Sequence, residues 1–162
     1  MTIYHGETPK PLRCSAGDDM KIAIGSDHAG YRHKRALVDF IRGLGHEVLD
    51  MGTHSDETTD YPRWIRPVAE AVARGQAERG IVLGGSGNGE AIVANRVRGV
   101  RCGYCFNEET ARLTRRHNDA NCIAIGERVV PIDTAKKIVE IFLTEPFDGG
   151  RHLARIEQID AQ

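Results

Sequence analysis

Short apolar runs that contain glycine or are bounded by it recur along this chain, and they constrain its fold more than any other feature. They occupy residues 22–25, 47–52, 81–84, 100–105 and 122–126. Runs rich in Val and Ile without polar alternation are typical of strands buried on both faces of a parallel sheet. Segments of helical length and period lie between them, with apolar residues that begin near Ala36, Ile92 and Ile138.

This alternation predicts an α/β fold, a Rossmann-like, doubly wound sheet of five parallel strands flanked by helices. The length of 162 residues suits one domain. Residues 1–20 show no sustained period, so we expect a flexible tail followed by a single domain over residues 21–162. A last periodic segment predicts a C-terminal helix over residues 151–159, whose Leu153, Ile156 and Ile159 face the domain or a partner subunit.

The charge balance argues against a polyanionic partner. The chain has 22 Lys and Arg against 23 Asp and Glu, a net charge of −1, so we expect no nucleic-acid or membrane-surface partner. The sequence contains no apolar stretch of membrane-spanning length, and its first 20 residues lack the apolar centre of a secretion signal. We therefore expect a cytoplasmic protein.

Two of the four cysteines, Cys102 and Cys105, form a C-x-x-C pattern. A metal or redox role is one interpretation of this pattern. However, the pair lies in a predicted strand, where side chains three residues apart point to opposite faces, and no second ligand pair exists. We expect reduced, buried cysteines and no metal site.

The most distinctive candidate for a binding site is the glycine-rich run over residues 84–89, which follows the third predicted strand. In open α/β sheets, ligands bind at the carboxyl ends of the strands. Backbone N–H groups at such a turn, together with the start of a helix, form a cradle for an anion or oxyanion. The run matches neither the dinucleotide-binding nor the P-loop spacing. A tight turn before a helix remains the alternative interpretation.

Glu90 follows this run directly and falls in the first turn of the predicted helix. A carboxylate there can act simply as a capping residue. Beside a pocket of N–H donors, it can also act as the base that removes a proton next to a carbonyl group, while the donors stabilise the enolate oxygen. The second interpretation indicates an isomerase.

Two further pairs, Asp27–His28 and His117–Asn118, are ambiguous when taken singly. Each pair is compatible with the start or the end of a helix. Together with Glu90 they would place two imidazoles and carboxylates at the ligand-binding strand ends, and imidazole can act as both acid and base near neutral pH.

Three arginines are candidates for binding a phosphate. Arg151 and Arg155 lie four residues apart on one predicted helix face, and Arg128 follows the fifth strand. Guanidinium groups suit phosphate geometry, although a solvated cationic helix face is the alternative.

Several separated motifs resemble the type B family of ribose-5-phosphate isomerases. They are residues 25–30, 60–62, 84–90, 94–97, 116–118 and 149–152, and the resemblance extends from Lys21 to the C-terminus. The resemblance implies aldose–ketose isomerisation of a sugar phosphate, ribose 5-phosphate in the type activity, without a metal or other cofactor. The family divides by its base, a Cys at the position of Gly84 or a Glu after the glycine run. This sequence resembles the Glu branch.

The resemblance also implies residue roles. Glu90 would move the proton between C2 and C1, while Ser86 and the N–H groups over Gly85, Gly87, Asn88 and Gly89 would hold the enediolate oxygen. His117, with Asp27, would open the sugar ring, and Asn118 would fix the open chain. His28, Arg128, Arg151 and Arg155 would bind the phosphate, and Tyr61 would line the sugar site.

Members of this family are homodimers, often assembled further, for example as dimers of dimers, with active sites at the subunit interface and residues contributed by both chains. The resemblance therefore implies the same for this chain. Two alternatives remain open, namely the same chemistry on a six-carbon or four-carbon sugar phosphate, and a non-catalytic module that binds a sugar phosphate.

Overall fold

A computed structural model describes residues 19–161 as a three-layer α/β fold. The strands are β1 (Lys21–Ser26), β2 (Glu47–Asp50), β3 (Arg79–Gly84), β4 (Cys102–Tyr104) and β5 (Cys122–Gly126). The helices are α1 (Tyr31–Gly43), α2 (Tyr61–Ala73), α3 (Asn88–Asn95), α4 (Glu108–Asn118), α5 (Ile132–Thr144) and α6 (Arg151–Glu157). All neighbouring strands pair in parallel, in the order β2-β1-β3-β5-β4, which confirms the predicted fold class.

Helices cover both faces of the sheet because alternate side chains of the central strands point to opposite faces. On one face, Ile24 and Ile123 belong to a buried cluster with residues of α1, α4 and α5, such as Phe142. On the other face, Ala23 and Val82 pack against residues of α2 and α3. The fold is therefore doubly wound, as predicted.

The two outer strands differ from the prediction. β2 ends at Asp50 and β4 spans only three residues, and both are partly exposed, whereas β1, β3 and β5 are almost wholly buried. The outward backbone groups of β4 are satisfied by a side chain. The Asn95 amide donates to the Cys102 carbonyl at 2.9 Å, and the Cys102 N–H donates to Asn95 Oδ1 at 2.8 Å. This pairing covers an edge that would otherwise be open to another strand.

Two helix predictions need correction. α3 ends at Asn95, so Val97 lies outside it, and Ile92 is 60% exposed instead of facing the core. The C-terminal helix ends at Glu157 instead of residue 159. Leu153 and Ile159 are 50% and 57% exposed, so of the two alternatives given for these side chains, contact with a partner subunit stays a prediction.

The predicted tail lies mostly outside the described residues. Met20, assigned above to the tail, packs against the core, and its N–H donates to His46 Nδ1 at 3.1 Å. The packed chain therefore includes at least this residue. No helix within residues 19–161 is long and apolar enough to cross a lipid bilayer.

The C-x-x-C pair lies on opposite faces of the sheet, as predicted, since Cys105 belongs to one buried cluster and Cys102 packs against the other. Both are free thiols, as is Cys122, which is the register partner of Cys102 on β5.

Candidate active site

The glycine-rich run forms the turn from β3 into α3. Gly87 adopts a left-handed conformation with φ of 88°, which favours a residue without Cβ. The Ser86 hydroxyl accepts a hydrogen bond from the Asn88 N–H at 3.2 Å. The turn is also held from β5, since the N–H groups of Glu127 and Arg128 donate to the carbonyls of Gly84 and Gly85 at 2.8 and 3.0 Å. The cradle is thus fixed by backbone contacts on two sides.

Glu90 is buried beside this turn, with only 4% of the residue exposed. Its carboxylate lies where a side chain at Gly84 would project, so that a Cβ at position 84 would overlap Glu90 Oε1. Burial raises the pKa of Glu90, and the nearby Asp27 raises it further, although N–H groups of Gly87 and Glu90 act in the opposite direction. A carboxylate in this environment is a stronger base than an exposed glutamate and can accept a proton from carbon.

Asp27 follows β1 and is 7% exposed. Its side chain accepts hydrogen bonds from the N–H groups of Ala29 and Gly30, at 2.9 and 3.2 Å, and so caps the short 3₁₀ turn over residues 28–30. β1 pairs with β3, with Ser26 opposite Leu83, which brings Asp27 and Glu90 to the same edge of the sheet. Two carboxylates therefore share one buried region.

The loop between β2 and α2 contacts His28, which follows β1, at this edge of the sheet. His28 Nδ1 lies 3.2 Å from both the backbone oxygen and the backbone nitrogen of Thr59. The Trp64 indole N–H donates to Thr59 Oγ1 at 2.9 Å, which ties this contact to α2. Tyr61 begins α2, and its ring packs against the turn, since a Cβ at Gly89 would lie 2.7 Å from Tyr61 Cζ.

Arg128 lies on the other side of the turn. A Cβ at Gly85 would lie 3.1 Å from a terminal nitrogen of Arg128 and 3.5 Å from the Ala29 Cβ. We call this whole set the glycine-loop half: Asp27, His28, Tyr61, residues 84–90 and Arg128.

The structure corrects the placement of His117 and Asn118. They end α4, and this helix crosses back between parallel strands, so that its last residues lie at the amino edge of the sheet. Arg101, just before β4, donates from Nε to the Asn118 carbonyl at 3.0 Å. The expectation that His117 and Asn118 lie at the strand carboxyl ends is therefore wrong for their own chain. With β3 and β5 paired from Gly80 to Gly84, the two edges are roughly 13 Å apart.

His117 instead stacks on His152 of α6, with ring centroids 4.5 Å apart and planes 13° apart. His117, Asn118, His152, Arg155, Ile156 and Ile159 line a cavity of about 350 Å³. Burial lowers the pKa of His152, and the charges of His117, Arg151 and Arg155 lower it further. We call His117, Asn118, Arg151, His152 and Arg155 the histidine half.

A metal site is the other possible use of this cluster. Donor atoms of His117, Asp148 and His152 lie within 4.8 Å of one another. Ring nitrogens direct their lone pairs within the ring plane, however, and nearly parallel planes do not meet at one ion. Asp148 is also paired with Arg116, whose Nε lies 3.1 Å from Asp148 Oδ1. The present arrangement suits a stacked pair of rings rather than a coordination site.

Three contacts made around the predicted site residues are not evident from the sequence. Thr59 and Trp64 hold the loop beside His28, and His152 stacks on His117. The Gly-Gly-Arg-His motif pointed to the position of His152, but a contact with His117 depends on how α6 packs against α4.

The chain is similar to known sugar-phosphate isomerases over most of its length. A family model described as Ribose/Galactose Isomerase matches residues 22–159. Ribose-5-phosphate isomerase B of Escherichia coli is 45% identical over 141 residues, which cover 87% of this chain and 95% of that protein. The protein of the same name from Mycobacterium tuberculosis is 41% identical over 140 residues, 85% of this chain and 86% of the relative.

Solved structures show the same likeness. Ribose-5-phosphate isomerase B of Clostridium thermocellum is 51% identical, with a TM-score of 0.86 and coverage of 87% of this chain and 95% of that chain. The type B enzyme of Trypanosoma brucei is 41% identical, with a TM-score of 0.85 and coverage of 88% and 98%.

Proposed function

This chain belongs to the ribose/galactose isomerase family, and on that premise we propose that it interconverts ribose 5-phosphate and ribulose 5-phosphate. The observation that carries the proposal is the buried Glu90 carboxyl group beside a turn of backbone N–H donors. A base and an oxyanion cradle, held side by side, are what proton transfer next to a carbonyl group requires.

Glu90 is the base in this reaction. It takes the proton from C2 of the open-chain aldose and returns it to C1, while the proton of the O2 hydroxyl moves to O1, and the two transfers together yield the ketose. Burial and Asp27 raise the pKa of Glu90, so the carboxylate is a stronger base and takes the proton from carbon more readily than an exposed glutamate would.

The turn over residues 85–89 stabilises the enediolate oxygen that forms between these two proton transfers. N–H groups at the start of α3 face this region, and the helix dipole favours negative charge there. The Ser86 hydroxyl is a further donor, and it is held by its contact with Asn88. Tyr61, packed on Gly89, lines the sugar site.

The ring-opening step requires a second chain. His117 lies at the opposite edge of the sheet from Glu90 of the same chain. We therefore assign the complete site to a homodimer in which the glycine-loop half of one chain faces the histidine half of the other. His117 of the second chain, with Asp27 of the first, moves the protons that open the furanose ring, and Asn118 fixes the open chain.

The phosphate group binds at the same junction. His28 and Arg128 flank the glycine turn in one chain, and Arg151 and Arg155 come from α6 of the other. Arg151 and Arg155 are exposed in the single chain, so their guanidinium groups are free to bind a phosphate held by a facing subunit.

The test is a comparison of kcat/KM for ribose 5-phosphate, allose 6-phosphate and erythrose 4-phosphate, each followed by proton NMR. We expect a clear preference for ribose 5-phosphate. Preference for another chain length would contradict the assigned substrate and leave the chemistry in place, whereas no turnover of any of the three would contradict the isomerase itself.

A further inference from the structure

Helix α6 buries one side chain, and that side chain is an imidazole. His152 is 9% exposed, while its neighbours Arg151 and Leu153 are exposed. One face of the His152 ring lies on His117, with planes only 13° apart. A short surface helix thus contributes to the interior a flat ring that covers the residue assigned to ring opening.

The segment that carries His152 is tied down on both sides. Before α6, the Asp148 N–H donates to the Arg116 carbonyl at 3.0 Å, and Arg116 Nε pairs with Asp148 Oδ1 at 3.1 Å. Arg116 is the residue directly before His117 in α4. After α6, the Gly99 N–H donates to Asp160 Oδ2 at 3.2 Å. The ring of His152 therefore has a fixed place relative to α4.

A fixed ring face limits how the neighbouring ring can turn. His117 is half-buried at the end of its helix, where a side chain is otherwise free to change rotamer. Rotation of the His117 ring out of the stack would lose the contact with His152. An acid–base group must hold its reacting nitrogen in one orientation, because a displacement of about 1 Å is costly in rate.

We propose that His152 is a positioning residue for His117, holding the plane of the His117 ring for the ring-opening step. This inference rests on the proposed isomerase function. His152 acts through the flat face of its ring and not through a hydrogen bond to the sugar.

Two readouts separate this role from a general structural one. Turnover of ribose 5-phosphate, which is a closed ring in solution, needs ring opening. Exchange of the C1 proton of ribulose 5-phosphate with D₂O needs the Glu90 base alone, because this ketose is already open. A loss of stability or of the dimer lowers both rates together, whereas a misplaced His117 lowers only the first.

The variants are His152→Leu, which removes the flat face, and His152→Phe, which keeps it without a ring nitrogen. We expect His152→Leu to lower kcat/KM for ribose 5-phosphate by roughly 10- to 100-fold and to leave C1 exchange within about twofold of wild type. We expect His152→Phe to keep most of the ribose 5-phosphate activity. If His152→Leu fails to fold, His152→Asn takes its place with the same expectation.

Equal loss of both rates in the Leu or Asn variant would overturn the inference, as would unchanged turnover of ribose 5-phosphate. A His152→Phe variant as poor as His152→Leu would overturn it too, because the nitrogen and not the ring face would then matter. His117→Ala, measured in parallel, distinguishes a failure of the positioning inference from a failure of the proposed isomerase function. If His117→Ala lowers turnover of ribose 5-phosphate without lowering C1 exchange, and His152→Leu does not, only the positioning inference fails. If the wild-type protein shows neither turnover nor exchange, the isomerase proposal fails first.

Discussion

The glycine-loop half and the histidine half are built in different ways. The first stands on the ends of β1, β3 and β5, the most buried strands of the sheet, and its key carboxylates at Asp27 and Glu90 are buried. The second stands on the end of α4 and on the short helix α6, and its arginines are exposed. The carboxylates of the glycine-loop half are buried within one chain, whereas the arginines of the histidine half are exposed at its surface.

This difference indicates how the work of the site is divided. Proton transfer at carbon needs a base whose pKa is set by a dry, fixed environment, and the interior of one chain supplies it. In the proposed homodimer, ring opening and phosphate binding use groups from both halves, so some of these groups must reach the substrate from the opposite side. The exposed Arg151 and Arg155, with the half-buried His117, are suited to supply such groups to a facing subunit.

The largest effect is expected from Glu90→Gln, which keeps the shape of the side chain and removes the base. We expect turnover of ribose 5-phosphate and C1 exchange of ribulose 5-phosphate to fall by roughly 10³-fold, with sugar-phosphate binding retained. NMR assays and calorimetric titration measure the two properties.

Glu109→Gln is the matched control, because Glu109 lies in the first turn of α4 and is exposed. Its activity should equal that of wild type. An active Glu90→Gln enzyme would remove Glu90 from the role of base and would leave the glycine-loop half without one.

Gly84→Ala tests whether the place of the Glu90 carboxylate depends on the missing side chain. The added Cβ would overlap that carboxylate and displace it, so we expect a loss of roughly 100-fold in C1 exchange. Gly43→Ala is the control, because nothing lies within 4 Å of a Cβ at that position in α1. An active Gly84→Ala enzyme would show that the carboxylate acts from another position.

Asp27→Asn tests the electrostatic coupling between Asp27 and Glu90 through the pH dependence of C1 exchange. The carboxylate of Asp27 raises the pKa of Glu90, so its removal lowers that pKa. C1 exchange rises with pH as Glu90 loses its proton, and the acid limb of its pH profile should therefore move to lower pH. The movement should be smaller than the shift caused by burial, which is the larger cause.

Asp39→Asn, on the exposed face of α1, should leave the profile of C1 exchange in place. A limb that stays fixed or moves to higher pH in Asp27→Asn would contradict the coupling between the two carboxylates. Asparagine retains an oxygen that can cap the turn over residues 28–30, which keeps the local structure comparable.

The smallest effect is expected from thiol-blocking reagents. Burial raises the pKa of Cys105 to about 12, and a hydrogen bond with Cys122 foremost raises that of Cys102, so these two thiols form little reactive thiolate at neutral pH. Turnover of ribose 5-phosphate should change by less than about twofold. Strong inactivation that the substrate prevents would give a cysteine a place in the site.

Much of the sheet could be predicted from the sequence because its central strands are apolar on both faces. The runs that became β1, β3 and β5 needed no tertiary information. β2 and β4 were predicted too long, because they lie at the sheet edges and their boundaries depend on the neighbours they lack. Ile92 has the right spacing for a core residue of α3, yet it is exposed, which no periodicity could show.

The site residues also differ in how far their positions could be predicted from the sequence. Glu90 could be placed beside the glycine turn because the two are adjacent in sequence. Its proximity to Asp27 depends on the pairing of β1 with β3, which the sequence does not specify. The place of His117 can be predicted from the fold class, because a residue at the end of a crossover helix must lie at the amino edge of a parallel sheet.

The assignment of one active site to two chains is tested most directly by mixing two inactive variants, Glu90→Gln and His117→Ala. If Glu90 of one chain works with His117 of the other, each mixed dimer contains one intact site. Co-refolded in equal amounts, the two variants should then regain about one quarter of the wild-type activity toward ribose 5-phosphate, since half of the dimers are mixed. No recovery in a sample shown to contain mixed dimers would contradict the shared site.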